Sequence, residues 1–250
     1  MRFSRIAAAA ALGVMIMSQA AQGAEFVVFS TISAKEALIE LVPEFEHASG
    51  HKVNITYAGG SGLAEQIRKG TRGDLFIGPE EFSDPLLKEG KLQAGSRTAF
   101  ARSTTGLAVR AGAAKPDISS PDKLKSVLLA ARTVSYSTGA SGMHFVKLIE
   151  RLGIAEAVAA KKVAPKPGEL VGAVVARGDA EIGAQQISEL LPVKGIQILD
   201  PLPAELQQTI VYGATAFPGS TQPEAAKAFV NFLRSEPARK VLREKGLDPA

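Results

Sequence analysis

The chain has 250 residues, 46% hydrophobic and 22% charged, enough for one large domain or two of roughly 100–125 residues each. It contains no cysteine and no tryptophan, which excludes disulfides, thiolate metal sites and a cysteine nucleophile. The net charge of +4 comes from 29 basic and 25 acidic residues, with no low-complexity tract and no heptad run.

The first element is MRFSRIAAAAALGVMIMSQAAQGA. Arg2 and Arg5 precede an apolar stretch from Ile6 to Met17, and small residues lead to Gln22-Gly23-Ala24. This is the layout of a signal peptide over residues 1–24, too short to span a bilayer, with cleavage after Ala24. Without Arg2 and Arg5, 27 basic residues stand against 25 acidic, a net of +2. The pI near 9.3 is therefore partly a property of the leader, and no Lys/Arg run carries interleaved aromatics. No nucleic-acid partner is expected. An export signal without a lipobox cysteine predicts a soluble periplasmic protein, expected to be a monomer.

After the leader, short β-rich runs alternate with helical patterns. EFVVFS (25–30) reads as a buried strand, followed by a helix with Ala37, Leu38, Leu41, Val42 and Phe45 on one face and Gly50 as its stop. KVNITYA (52–58) is the next strand, then a helix after Gly62, then the strand DLFIG (74–78). TGLAVR (105–110) precedes Ser120-Pro121, an N-cap with proline at the first helical turn. RTVSYS (132–137) leads into a helix with Phe145, Leu148, Ile149 and Leu152 inward. GELVGAVVARGD is a helix ended by Gly178, AEIGAQQ a strand, and PEAAKAFVNFLRS a final helix with Ala226, Phe229, Val230 and Leu233 on one face. Alternation of this kind predicts parallel βαβ units and an α/β fold. No flexible linker divides the chain, so two lobes would be joined by strand-like crossings, with Thr98–Thr105 and Thr209–Thr215 as candidates.

Three strand-to-helix junctions share one design. FSTIS (29–33) places Ser33 to cap a helix, with Glu36 completing a capping box. ITYAGGSGLAEQ carries Gly59, Gly60, Ser61 and Gly62, and YSTGASG (136–142) carries Ser137, Thr138, Ser141 and Gly142. Helix N-termini offer unpaired backbone N–H groups and partial positive charge, so they bind anions without a cationic side chain. Each junction also has a plain structural reading: an N-cap, a tight turn and a surface loop, respectively.

Several chemistries are excluded by pattern. Leu63 and Ala64 follow Gly62 where a nucleotide P-loop needs Lys and Ser/Thr, and no G-x-G-x-x-G opens a helix. His47, His51 and His144 are the only histidines; Gly50 breaks the helix between the first two, so no metal site is expected. G-x-S-x-G is absent, and no cofactor is implied.

At these junctions the sequence resembles the periplasmic molybdate-binding proteins of bacterial ABC importers, within the type II solute-binding superfamily. The residues that carry the resemblance are VFSTISAKEAL (28–38), PEFEHASGHKV (43–53), YAGGSGLAEQIRKG (57–70), GDLFIGPEE (73–81) and GELVGAVVARGDAEIG (168–183). The resemblance implies two Rossmann-like α/β lobes, 25–102 plus 211–250 and 103–210, joined by two crossing strands with the ligand between them. It matches the family's first serine to Ser33 and its second to Gly60 or, one residue on, Ser61. It places helix-start donors at Ser141 and Gly142 and a backbone donor near Leu170. At the family's tyrosine this chain has Gln186.

The resemblance implies a non-enzymatic solute-binding protein that captures a small oxyanion, molybdate- or tungstate-like, for an ABC permease. Glycine for serine and glutamine for tyrosine remove two hydroxyl donors, so a small di- or tricarboxylate is the alternative. Gln186 would then add amide contacts and Arg102, near the outgoing crossing, would pair bidentately with a carboxylate. A cleft with glycine at residue 60 would also be roomier. A periplasmic enzyme acting on an anionic substrate is the remaining reading, short of obvious acid–base groups.

Overall fold

The computed structural model describes residues 23–250, so the leader read over 1–24 lies almost wholly outside the described residues. β1 (Glu25–Thr31) pairs in parallel with β2 (Lys52–Ala58) and β3 (Leu75–Pro79). α1 (Lys35–Ser49) and α2 (Gly60–Arg68) precede β2 and β3, and α3 (Glu80–Lys88) follows. α1 forms because Ala37, Leu38, Leu41 and Phe45 recur at helical spacing on its buried face. Gly50 ends it in the left-handed conformation, φ 73°, open to a residue without Cβ.

β4 (Thr98–Arg110) is a single 13-residue strand. Then come α4 (Pro121–Ala130), β5 (Val134–Tyr136), α5 (Ala140–Arg151), α6 (Ala155–Ala159) and α7 (Val171–Arg177). β6 (Ile182–Gln186), α8 (Ile187–Leu190), β7 (Ile196–Ile198) and β8 (Thr209–Ala216) follow. α9 (Pro223–Leu233), α10 (Glu236–Glu244) and β9 (Asp248–Pro249) complete the chain. The Ser120 hydroxyl caps α4, accepting from the Lys123 N–H at 3.3 Å, with Pro121 as its first residue.

The strand order is β2-β1-β3-β8-β4-β6-β5, with β7 and β9 also on β4. The α/β reading holds, but the sheet is mixed: β1/β2, β1/β3 and β5/β6 are parallel, whereas β8 and β4 run against their neighbours. The reason is connectivity. The first half of β4 pairs with β8, its second half with β6 and β7, so one strand leads out and the other leads back, in opposite senses. Two cores flank this crossing. One gathers Phe26, Phe45 and Phe229, the last two with ring centroids 4.9 Å apart; the other gathers Leu107, Tyr136, Phe145, Leu148 and Ile149.

Asp74, immediately before β3, ties the first core together. Its carboxylate accepts from the Val27 N–H (2.8 Å), the Ser220 hydroxyl (2.7 Å) and the N–H groups of Thr221 (2.9 Å) and Gln222 (3.1 Å) ahead of α9. Burial alone would raise its pKa, but the hydrogen bonds from Val27, Ser220, Gln222 and Thr221 outweigh it and hold the carboxyl below its ordinary value. Asp74→Ala leaves buried donors unpaired and is expected to cost about 2–4 kcal/mol in chemical denaturation. Because the folded-state pKa is depressed, this contribution is present above the ordinary pKa of 3.8 and fades as pH falls through the lower folded value. The stability gap between wild type and variant should therefore be constant near neutrality and close in strong acid.

Candidate functional site

The C-terminal ends of β1, β2, β5 and β6 open on one cavity of about 900 Å³. Loops at this edge of an open α/β sheet are where ligands bind, because helix N-termini converge there. α2 starts after the extended Gly59 (φ −62°, ψ 142°), and α5 after the extended Gly139 (φ −74°, ψ −178°). Neither has a side-chain cap. The first helical bonds run from the Leu63 N–H to the Gly59 carbonyl (3.0 Å) and from the Met143 N–H to the Gly139 carbonyl (2.9 Å). The N–H groups of residues 60–62 and 140–142 precede them and have no helical acceptor. The two starts face each other closely: the Ser61 hydroxyl donates to the Thr138 carbonyl at 3.4 Å.

Of the residues singled out in the sequence, Ser33, Gly60, Ser61, Leu170 and Gln186 line this cavity. Ser141 and Gly142 stand behind Gly139 and Ala140, which line it. The Ser141 hydroxyl is buried without a hydrogen-bond partner, and a Cβ at Gly142 would collide with the Ser137 carbonyl, so the loop requires glycine there. Leu170 is the extended residue before α7, and Gln186 ends β6 with its Oε1 buried and unpartnered. The neighbouring Gln185 Oε1 accepts from the Gly172 N–H at 3.3 Å.

Three sequence expectations are corrected. Ser33 does not cap α1, and the Ser33–Glu36 capping box does not form: the chain coils from Ile32 in a 3₁₀ turn, which makes Ala34 the N-cap. Ser33 is instead buried within that turn, with its Oγ 3.1 Å from the Thr31 Oγ1. Gly60 does not make the cavity roomier, because a Cβ at residue 60 would collide with the edge of the Phe82 ring, which already fills that space. Arg102 is not brought to the cavity. It is exposed on β4 between buried Ala101 and Ser103, opposite Val211 and Asp248, so strand alternation turns its side chain outward.

The structure also gathers groups that the sequence did not single out. Lys35, Lys162 and Lys166 line the cavity, and among the described residues none of the three forms an ion pair with a carboxylate. The Lys162 ammonium lies 4.0 Å from the centroid of the Tyr136 ring. The density of lysine and proline in KKVAPKPGEL, just ahead of Leu170, was the available signal. Two of the chain's three tyrosines, Tyr57 and Tyr136, line the site; the third, Tyr212, does not line it and is buried beside Ser33 with its hydroxyl lacking a partner of normal geometry. Burial, with the Glu36 carboxylate adding to it, pushes Tyr57 up to about 12, so it stays a neutral donor. Glu189, on α8, lines the cavity as well; burial pushes its carboxyl up to about 7 against the opposing pull of the Gln185 amide.

Comparison with known proteins follows from this geometry. The family model for bacterial extracellular solute-binding proteins matches residues 26–248. A Pseudomonas sp. protein named aconitate isomerase is 35% identical over 216 residues, 84% of this chain and 82% of that one. The molybdate-binding protein ModA of Azotobacter vinelandii is 27% identical over 256 residues, covering 98% of each chain. The solved Azotobacter vinelandii periplasmic molybdate-binding protein superposes with a TM-score of 0.72 at 20% identity, covering 88% of this chain and 97% of that one. The chain has the type II periplasmic binding protein fold. The chain belongs to the bacterial extracellular solute-binding protein family, and is similar over its whole length to the molybdate-binding proteins.

Proposed function

We propose that this chain is a periplasmic binding protein for a small di- or tricarboxylate, which it captures in the cavity and delivers to an ABC permease. The observation that carries this reading is the set of three lysines without ion-pair partners, Lys35, Lys162 and Lys166, around two uncapped helix starts. Several separated cations suit a ligand whose negative charges are themselves separated along a carbon chain. A compact tetrahedral oxyanion needs only a tight cage of neutral donors. The cavity volume of about 900 Å³ sits in the range of roughly 300–1,000 Å³ found for organic ligands. The 35% identity to a protein named for aconitate, a tricarboxylate, points the same way.

In this reading, residues 25–102 plus 211–250 and residues 103–210 form two lobes that close on the ligand. The N–H groups at the starts of α2 and α5 take carboxylate oxygens, and Lys35, Lys162 and Lys166 neutralise the charge. The hydroxyls of Ser33, Ser61, Tyr57 and Tyr136 and the Gln186 amide fix orientation. The closed form docks on the permease.

A thermal-shift panel tests the ligand class. Saturation at 100-fold over Kd stabilises the fold by about 2.7 kcal/mol, a clear rise in Tm. Citrate, tricarballylate and trans-aconitate are expected to raise Tm, and molybdate, tungstate, sulfate and phosphate to leave it unchanged. A rise with molybdate alone would return the site to the oxyanion reading. By calorimetry, Lys35→Ala and Lys162→Ala are each expected to weaken tricarboxylate binding by about 1.5–3 kcal/mol, the worth of a charge-assisted hydrogen bond, or roughly 10- to 150-fold. Arg102→Ala should leave affinity unaltered, since its side chain points away from the cavity.

A further inference from the structure

Three carboxyls line the cavity beside the lysines: Glu169, which pairs with Arg177, Glu36 on α1, and Glu189 on α8, the one whose pKa burial raises toward neutrality. Glu189 lines an anion cavity, where an ionised carboxylate opposes the ligand by like-charge repulsion. Among the described residues it forms no ion pair, and the three described lysines of the cavity leave it uncompensated. The Gln185 amide lowers its pKa against the burial that raises it, and its charge bears on the Tyr212 hydroxyl, which stands beside Ser33. α8 packs directly on the 3₁₀ turn that holds Ser33, which keeps Glu189 on the cavity wall beside that turn. A carboxyl whose affinity for a proton is balanced near neutrality is poorly suited to holding an anion and well suited to exchanging a proton with one.

We propose that the cavity is also a proton-transfer site, in which Glu189 isomerises a bound unsaturated polycarboxylate. This rests on the polycarboxylate reading above. The substrate class is an acid with a methylene group between a carboxylate and a carbon–carbon double bond. The Glu189 carboxylate takes one methylene proton. The C–H electron pair spreads over the allyl unit into the adjacent carboxylate as a dienolate, and Glu189 becomes the neutral acid. The neutral Glu189 acid, whose proton exchanges with solvent, then delivers a proton to the far carbon of the allyl unit, the double bond moves by one position, and Glu189 is again a carboxylate. Atoms and electrons balance without oxidant, reductant or co-reactant. The extra charge of the dienolate falls where the N–H groups of α2 and α5, with Lys35 and Lys162, are already aimed, so donors serving binding also stabilise the intermediate.

The test uses the full mature chain in D₂O with trans-aconitate, followed by proton NMR. Wild type is expected to exchange the methylene protons for deuterium and to produce the second geometric isomer. Glu189→Gln is expected to slow both by at least about 100-fold, the usual worth of a general base. Glu189→Asp, which keeps a carboxylate but shortens its reach, should retain partial exchange. Tricarballylate, a saturated analogue with no allylic proton to lose, reads binding separately. Its Tm shift should survive in Glu189→Gln, and increase where repulsion is relieved. If tricarballylate shifts Tm in wild type but trans-aconitate does not exchange, or if Glu189→Gln exchanges as fast as wild type, the proton-transfer proposal is overturned and the binding reading stands. If no polycarboxylate shifts Tm at all, the binding reading fails and the proposal fails with it.

Discussion

A helix that begins without a cap leaves several backbone N–H groups pointing at nothing. In this chain two such helices, α2 and α5, begin within hydrogen-bond reach of each other, where the Ser61 hydroxyl meets the Thr138 carbonyl. Serine, threonine or aspartate at Gly59 or Gly139 would satisfy those donors internally, as Ser120 does for α4 and Ser235 for α10. Glycine at both places leaves the donors to an external acceptor. The rest of the architecture follows from that constraint: parallel strands that deliver helix starts to one edge, and a long antiparallel crossing of β4 and β8 that brings two separate sets of starts together.

Charge decides what kind of acceptor this is. Neutral donors alone suit a compact oxyanion, and discriminate by counting hydrogen bonds. Adding Lys35, Lys162 and Lys166 spreads positive charge over a wider area, and Glu189 adds a carboxyl that burial makes hold its proton more tightly than an ordinary one, its pKa pushed up to about 7. The tyrosines refine the picture further. Glutamine stands where the resemblance has a tyrosine, yet Tyr57 and Tyr136 bring two hydroxyls to the cavity from two other strands. The donor set has been rearranged rather than depleted.

Local signals carried most of the fold. The helical spacing of Ala37, Leu38, Leu41 and Phe45, the stops at Gly50 and Gly178, and the Ser120-Pro121 start are all properties of neighbouring residues, and they appear where the sequence places them. α3 was hidden because Pro85 lies inside it, and α8 and β9 are too short to show a period. The site was legible only where a backbone motif marks it, at residues 59–62 and 137–142. Lys35 on α1, Lys162 in the loop between α6 and α7, and Glu189 on α8 are far apart in sequence and meet only in the folded chain, so no spacing along it announces them. Arg102 failed for the opposite reason. Its position near the crossing was right, but the side of the strand it faces depends on register, which pairs it with Val211 and Asp248.

The most direct measurement of the central claim is a crystal structure of the mature chain with a tricarboxylate bound. One carboxylate is predicted to lie about 2.7–3.2 Å from the N–H groups that open α2 or α5. A second should pair with Lys35 or Lys162, with the carbon chain passing beneath Glu189. A ligand held away from both helix starts, or a lone tetrahedral anion occupying them while the lysines remain in solvent, would contradict it.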